Sequence, residues 1–158
     1  MNEASITRYI IESFRGVEIL VGSKDAGSPE IAWGDTFFFY GPDRMLPFAT
    51  IVTKDYGDFD CASNLNRPGV FRLNIGVSKD TFRSLFVPKF SASKRAGVAE
   101  PEHDFTALDR LMPHPAYAPQ SWVCALNPGE ETFETVRPLL AEAYDLAVER
   151  TAKRETRE

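Results

Sequence analysis

The chain has 158 residues, 43% hydrophobic and 26% charged, a composition that rules against a disordered polypeptide and a length that leaves no room for two full domains. Folding at this size removes roughly 70% of the unfolded surface from water, so no disulfide or metal is needed to hold the core. Eighteen Lys and Arg against 23 Asp and Glu leave a net charge of −5, which weighs against a generally basic nucleic-acid binder.

In chain order, the first predicted element is a helix capped by Asn2 or Ser5, with Ile6, Tyr9, Ile10 and Phe14 on one face and Gly16 as its stop. Val17 to Val21 reads as a strand closed by the turn-rich stretch Gly22 to Pro29. Glu30 to Trp33 and Thr36 to Tyr40 form one strand with an irregularity at Gly34, or two short ones. After the turn Gly41 to Arg44 comes a strand from Phe48 to Thr53. Val70 to Val77 alternates cleanly, with Phe71, Leu73 and Ile75 on one face and Arg72 and Asn74 on the other.

Ser78 caps a predicted short helix whose buried stripe is Phe82, Leu85 and Phe86. Pro88 to His103 lacks periodicity and reads as an excursion. Asp104 to Met112 is predicted as another short helix, with Phe105, Leu108 and Leu111 inward, ended by Pro113-His114-Pro115. A strand follows at Trp122 to Leu126. In the last helix Phe133, Val136, Leu140, Ala143 and Ala147 repeat at helical intervals; Pro138 is tolerated if regular helix begins near Thr135 and implies a kink if it begins earlier. The short turns between strands favour antiparallel pairing. The expected fold is therefore a two-layer α+β sandwich, a mainly antiparallel sheet with helices packed on one face. It forms a single domain over residues 1–150, with a polar tail at 151–158 that frays.

The N-terminal MNEASITRYI lacks the basic stretch and apolar core of a signal peptide, and the longest apolar run is five residues, Trp122 to Leu126. Cys61 and Cys124 form no CxxC pair and pack as small apolar residues, so a cytoplasmic location is expected. Two Cys and two His lie at no zinc-finger spacing. The segment KDYGDFD, Lys54 to Asp60, offers oxygen atoms but no EF-hand frame, and its aspartates read as turn formers. No metal and no cofactor is predicted. P-loop, GxGxxG, GxSxG and HExxH patterns are all missing.

The charge is unevenly placed. Residues 1–60 carry a net −5, residues 61–98 a net +6 and residues 99–158 a net −6. The basic middle, which includes Arg67, Arg72, Lys89, Lys94 and Arg95, is either a patch for phosphate, carboxylate or nucleic acid, or is neutralised by the acidic flanks. Arg72 offers a planar fork and Asn74 both donates and accepts, so together they form a ligand site if their face is covered. His114, Tyr117 and Gln120 lie in a proline-stiffened loop, where His114 is either an acid or base or a structural residue. Trp33 and Asp35 begin an acidic, aromatic set continued by Asp55, Asp58 and Asp60. The run Phe37 to Tyr40 puts aromatics on both sheet faces. Either the second face is covered by the excursion or another subunit, or the core is simply thick.

The pieces EIAWGDTFFFY, PFATIVTKDYGDFD, ASNLNRPGVFRLNIGVSKDTFRSLF, LMPHPAYAPQSWV and PLLAEAYDLA resemble a bacterial family of uncharacterised proteins, a domain of unknown function, over roughly residues 5–150. The last third is also remotely similar to the MmcQ/YjbR family, in which a strand carrying a Trp leads through a Pro-containing turn to a terminal helix. Here the matching residues are Trp122, Pro128, Leu139, Leu140, Ala143 and Tyr144. That similarity implies a compact α+β fold and a DNA-binding role, which would reside between Asn64 and Val77.

Three functional readings follow. The first is a non-catalytic binding module for an anionic small molecule or protein partner, using Arg67, Arg72, Asn74, His114, Tyr117, Gln120, Trp33 and Asp35. The second is a small-metabolite enzyme with His114 as acid or base and Arg72 as anion clamp. The third is a DNA-binding protein using Lys89, Lys94 and Arg95. The protein acts as a monomer or homodimer, away from membranes.

Overall fold

The computed structural model describes residues 1–41, 45–86 and 103–157. Helix α1 (Glu3–Ser13) starts at a reciprocal cap: the Asn2 side chain accepts from the Ser5 amide at 2.8 Å while Ser5 Oγ accepts from the Asn2 amide at 2.9 Å. Its apolar face buries Ile6 and Ile10, and Gly16, at φ +74°, turns the chain into β1 (Val17–Val21). β1 pairs with β2 (Thr36–Tyr40), which is followed by β3 (Ala49–Val52), β4 (Arg72–Gly76), β5 (Leu111–Pro113) and β6 (Trp122–Leu126). All pairings are antiparallel, in the order β1-β2-β3-β4-β6-β5. The expected antiparallel α+β sandwich is the observed fold.

Helices α1 and α3 (Glu130–Arg157) cover one face of this sheet. There Phe38, Ile51, Leu73, Ile75 and Val123 meet Ile6, Ile10, Phe133, Val136, Leu140, Ala143 and Ala147 in the main core. α3 begins at Glu130, so Pro138 lies inside it, and the helix continues through Arg157, into the stretch expected as a polar tail. Helix α2 (Lys79–Phe86) is started by Ser78 Oγ, which accepts from the Thr81 amide at 3.1 Å, and by Glu142 Oε1, which accepts from the Ser78 amide at 3.2 Å. None of its residues is fully buried; Phe82 and Phe86 lean on the core while Leu85 faces outward. Among the described residues no helix is long and apolar enough to cross a membrane.

Two predicted elements differ. Glu30–Ala32 is a short 3₁₀ turn rather than a strand, because the chain curls so that the Gly34 amide donates to the Gly22 carbonyl and the Gly22 amide to the Asp35 carbonyl. The turn presses on Gly22: a Cβ there would sit 1.9 Å from the Ala32 carbonyl oxygen. Gly22→Ala is therefore expected to destabilise the fold by about 2–3 kcal/mol, the cost of overpacking against backbone, read as a lower urea midpoint. An unchanged midpoint would show that the turn moves freely.

The second difference is Asp104 to Met112. The three-residue spacing of Phe105, Leu108 and Leu111 imitates a helix, yet Asp109 sits at φ +56° and donates its amide to the Leu126 carbonyl. Leu111 to Pro113 then pairs with β6, and Leu108 is left half exposed.

Opposite the helices, the far face of the sheet is covered by the segments 53–70 and 114–121. Val52, Leu65, Met112, Cys124 and Leu126 form a smaller second core there, with Tyr56, Val70 and Phe105 packed against it. Cys61 and Cys124 are both free thiols; burial pushes the Cys124 thiol up to about 12, which leaves it inert.

Candidate functional site

The alternation of β4 that sends Leu73 and Ile75 into the main core sends Arg72 and Asn74 to the far face. Register places Thr50 of β3 beside Asn74, and Asn74 Nδ2 donates to Thr50 Oγ1 at 2.9 Å. Arg72 is only 1% exposed. A guanidinium at that depth requires acceptors for its donors and an opposite charge. Its Nε donates to Asn74 Oδ1 at 2.8 Å, and Nη1 donates to Ser63 Oγ at 2.9 Å and to Asp60 Oδ1 at 3.0 Å. Nη2 donates to Asp60 Oδ2, completing a bidentate pair.

Asp60 reaches this position from a tight turn in which Tyr56 and Asp60 bridge across Gly57, itself at φ +56°. The feet of the turn carry two pocket residues and its tip carries Phe59. Tyr56 is fixed from behind: its hydroxyl donates to Asp35, whose carboxylate also accepts from the Thr53 amide at 2.8 Å and Thr53 Oγ1 at 2.9 Å. Burial, then the Asp35 carboxylate, raises the Tyr56 phenol well above its ordinary range, so it acts only as a neutral donor.

His114 follows β5. The prolines on either side bend the chain back so that the amides of Ala116 and Tyr117 both donate to His114 Nδ1, at 3.0 and 2.9 Å. Its Nε2 lies 3.1 Å from Arg72 Nη2 and 3.8 Å from Asp60 Oδ2. Burial first and the Arg72 charge second, partly opposed by Asp60, lower the imidazole to about 3. His114 is neutral at physiological pH.

These groups form the floor of a cavity of about 380 Å³. Its walls are mainly apolar: Phe37, Val52, Tyr56, Phe59, Tyr117 and Trp122, with Leu46, Pro47 and Gln120 completing the lining. Phe59 and Tyr117 meet edge-on, centroids 5.6 Å apart, and the Tyr117 ring lies 4.9 Å from that of His114.

Of the residues singled out by sequence, Arg72, Asn74, His114, Tyr117 and Gln120 converge on this cavity. Arg67 does not: Nε donates to the Asn64 carbonyl, and Nη2 donates to the Ser63 and Thr106 carbonyls, so the side chain ties two loops together. Trp33 lies on the surface with its indole N–H on the Ser28 carbonyl, and Asp35 reaches the cavity only through Tyr56. Lys89, Lys94 and Arg95 lie outside the described residues. Sequence reasoning passed over Ser63, Thr50 and Tyr56; it read Asp60 only as a turn former in an acidic set and Phe37 only as part of an aromatic run, whereas both line the cavity. The available signal was Arg72 itself, since an arginine on the covered face of a central strand demands a buried acid.

Fold and site together define an antiparallel α+β protein with a small, aromatic-walled cavity on the sheet face opposite its helices. Residues 1–156 match a family of unknown function, DUF6194, and the chain belongs to that family. No curated protein and no solved structure matches it.

Proposed function

We propose that this protein is a non-catalytic binding module for a small organic molecule held in the cavity over Arg72 and His114. The single observation behind this reading is the shape and chemistry of that cavity: about 380 Å³, mostly apolar walls, and a few converging polar groups, with Thr50, Arg72 and Asn74 on paired strands and Asp60 and His114 on the segments that cover them. Its concavity favours a small molecule over a protein partner.

The anion that Arg67 and Arg72 point to in the sequence is not the favoured ligand. Arg67 is committed to backbone carbonyls, and the charge of Arg72 is matched by Asp60. The same commitments weigh against DNA binding through Asn64 to Val77, the role implied by a likeness to the MmcQ/YjbR family. They also weigh against acid–base catalysis, because the lone pair of His114 Nδ1 is already held by two amides and the ring resists protonation.

A melting-shift screen of small organic molecules tests the reading, since a ligand of the native state raises its stability by mass action. Phe59→Ala and Tyr117→Ala remove exposed wall rings that carry little of the fold. Each is expected to weaken binding about tenfold, roughly 1.4 kcal/mol, while changing stability by no more than about 0.5 kcal/mol. The reading fails if no compound shifts the melting curve, or if both variants bind like the parent.

A further inference from the structure

The hydrogen-bond geometry at His114 says which kind of molecule the cavity takes. Two backbone amides converge on Nδ1, so that atom carries a lone pair and the ring's single proton sits on Nε2. Nε2–H then faces Arg72 Nη2 at 3.1 Å, a donor set against a donor. Four of the five guanidinium N–H groups have acceptors in Asn74, Ser63 and the two oxygens of Asp60, and the fifth is the one aimed at His114. Asp60 Oδ2 lies 3.8 Å from Nε2, beyond hydrogen-bond reach. Both residues are nearly inaccessible, Arg72 at 1% and His114 at 2% exposed, and both line the cavity. Bulk water therefore does little to satisfy the pair.

From this arrangement, and resting on the small-molecule reading above, we infer that the cavity recognises an uncharged carbonyl group, whose oxygen accepts from His114 Nε2 and Arg72 Nη2 while its apolar body lies against the aromatic walls. A carbonyl oxygen has two lone pairs, one for each donor, and an oxygen about 3 Å from each nitrogen would satisfy both. A carboxylate presents the same oxygen with a charge. That charge has no free cation to meet, because the Arg72–Asp60 pair is already neutral, and it would approach Asp60 Oδ2 at close range in a site of low dielectric. A hydrocarbon of the same shape fills the walls but leaves both donors without an acceptor. Amides, ketones and lactams with an apolar ring or chain satisfy floor and walls together.

Benzamide, benzoate and α-methylstyrene form a near-isosteric series that separates these cases. Their dissociation constants are measured at neutral pH by titration followed on ¹⁵N-histidine-labelled protein. Benzamide is expected to bind about tenfold more tightly than either of the others, the scale of one hydrogen-bonded interaction of this kind, and to move the His114 Nε2 resonance. In the free protein that resonance should report a neutral ring protonated at Nε2. Benzoate or α-methylstyrene binding as tightly as benzamide overturns the carbonyl assignment and leaves the small-molecule reading standing. A ring protonated at Nδ1 overturns it as well, whatever the affinities. If none of the three probes binds while other compounds in the melting-shift screen do, the assignment fails alone; if nothing binds in either experiment, the small-molecule reading fails with it.

Discussion

Replacing Arg72 with alanine is expected to lower the unfolding free energy by about 3–5 kcal/mol, the usual consequence of leaving one half of a buried ion pair uncompensated. The damage falls on what remains. Asp60 keeps a carboxylate that is 8% exposed and has lost both of its guanidinium contacts, while Ser63 and Asn74 each lose a partner. Asn74 passes the loss on to Thr50, so two central strands and the turn carrying Phe59 are loosened together. Urea denaturation measures the effect directly. Replacing both members, Arg72→Met with Asp60→Leu, should recover much of the lost stability, because an apolar pair of similar volume leaves no buried charge behind. It should not restore binding, since the cavity floor is then apolar. A cost below about 1 kcal/mol for Arg72→Ala would place the pair in contact with water, in the range of exposed pairs, and would remove the argument for a neutral, desolvated floor.

The second large effect is a dependence on pH. The folded chain holds His114 at about 3, against an ordinary value of 6.5. The sign follows from proton uptake. Below about pH 6.5 the unfolded chain binds a proton that the folded chain refuses, so stability present above that pH is lost as the pH falls towards 3. The slope approaches about 1.4 kcal/mol per pH unit, which amounts to roughly 2 kcal/mol by pH 5. His114→Gln removes this one contribution and retains His103 and every carboxylate. Unfolding free energies of the two proteins at pH 7, 6 and 5 should therefore draw together as the pH falls. A gap that stays constant across that range would mean that His114 titrates freely, and the inert, neutral donor described above would not exist.

Much of the fold is legible from local pattern. The period of Ile6 and Ile10 in α1, and of Phe133, Val136, Leu140, Ala143 and Ala147 in α3, announces faces that the structure buries. The alternation of Val70 to Val77 puts Arg72 and Asn74 on one side of β4, and that placement holds. Where pattern misleads, a non-local contact overrides it. Phe105, Leu108 and Leu111 have helical spacing, but pairing with β6 and the positive φ of Asp109 make the segment a turn and a strand. Glu30 to Trp33 has strand-like residues, but Gly22 and Asp35 draw it into a 3₁₀ turn.

The site divides the same way, and so does the charge balance of 18 against 23. Sequence alone determined that the protein is an antiparallel α+β structure with a basic middle and acidic flanks, and that Arg72 and Asn74 share a face, because helical and strand periods are properties of neighbouring residues. Only the tertiary structure decided that Asp60, from the first acidic flank, neutralises Arg72, that Arg67 is a loop clamp, and that His114, 42 positions from Arg72, brings its Nε2 to the same guanidinium. A buried charge must find its partner wherever the chain can bring one. No local period records which residue that is.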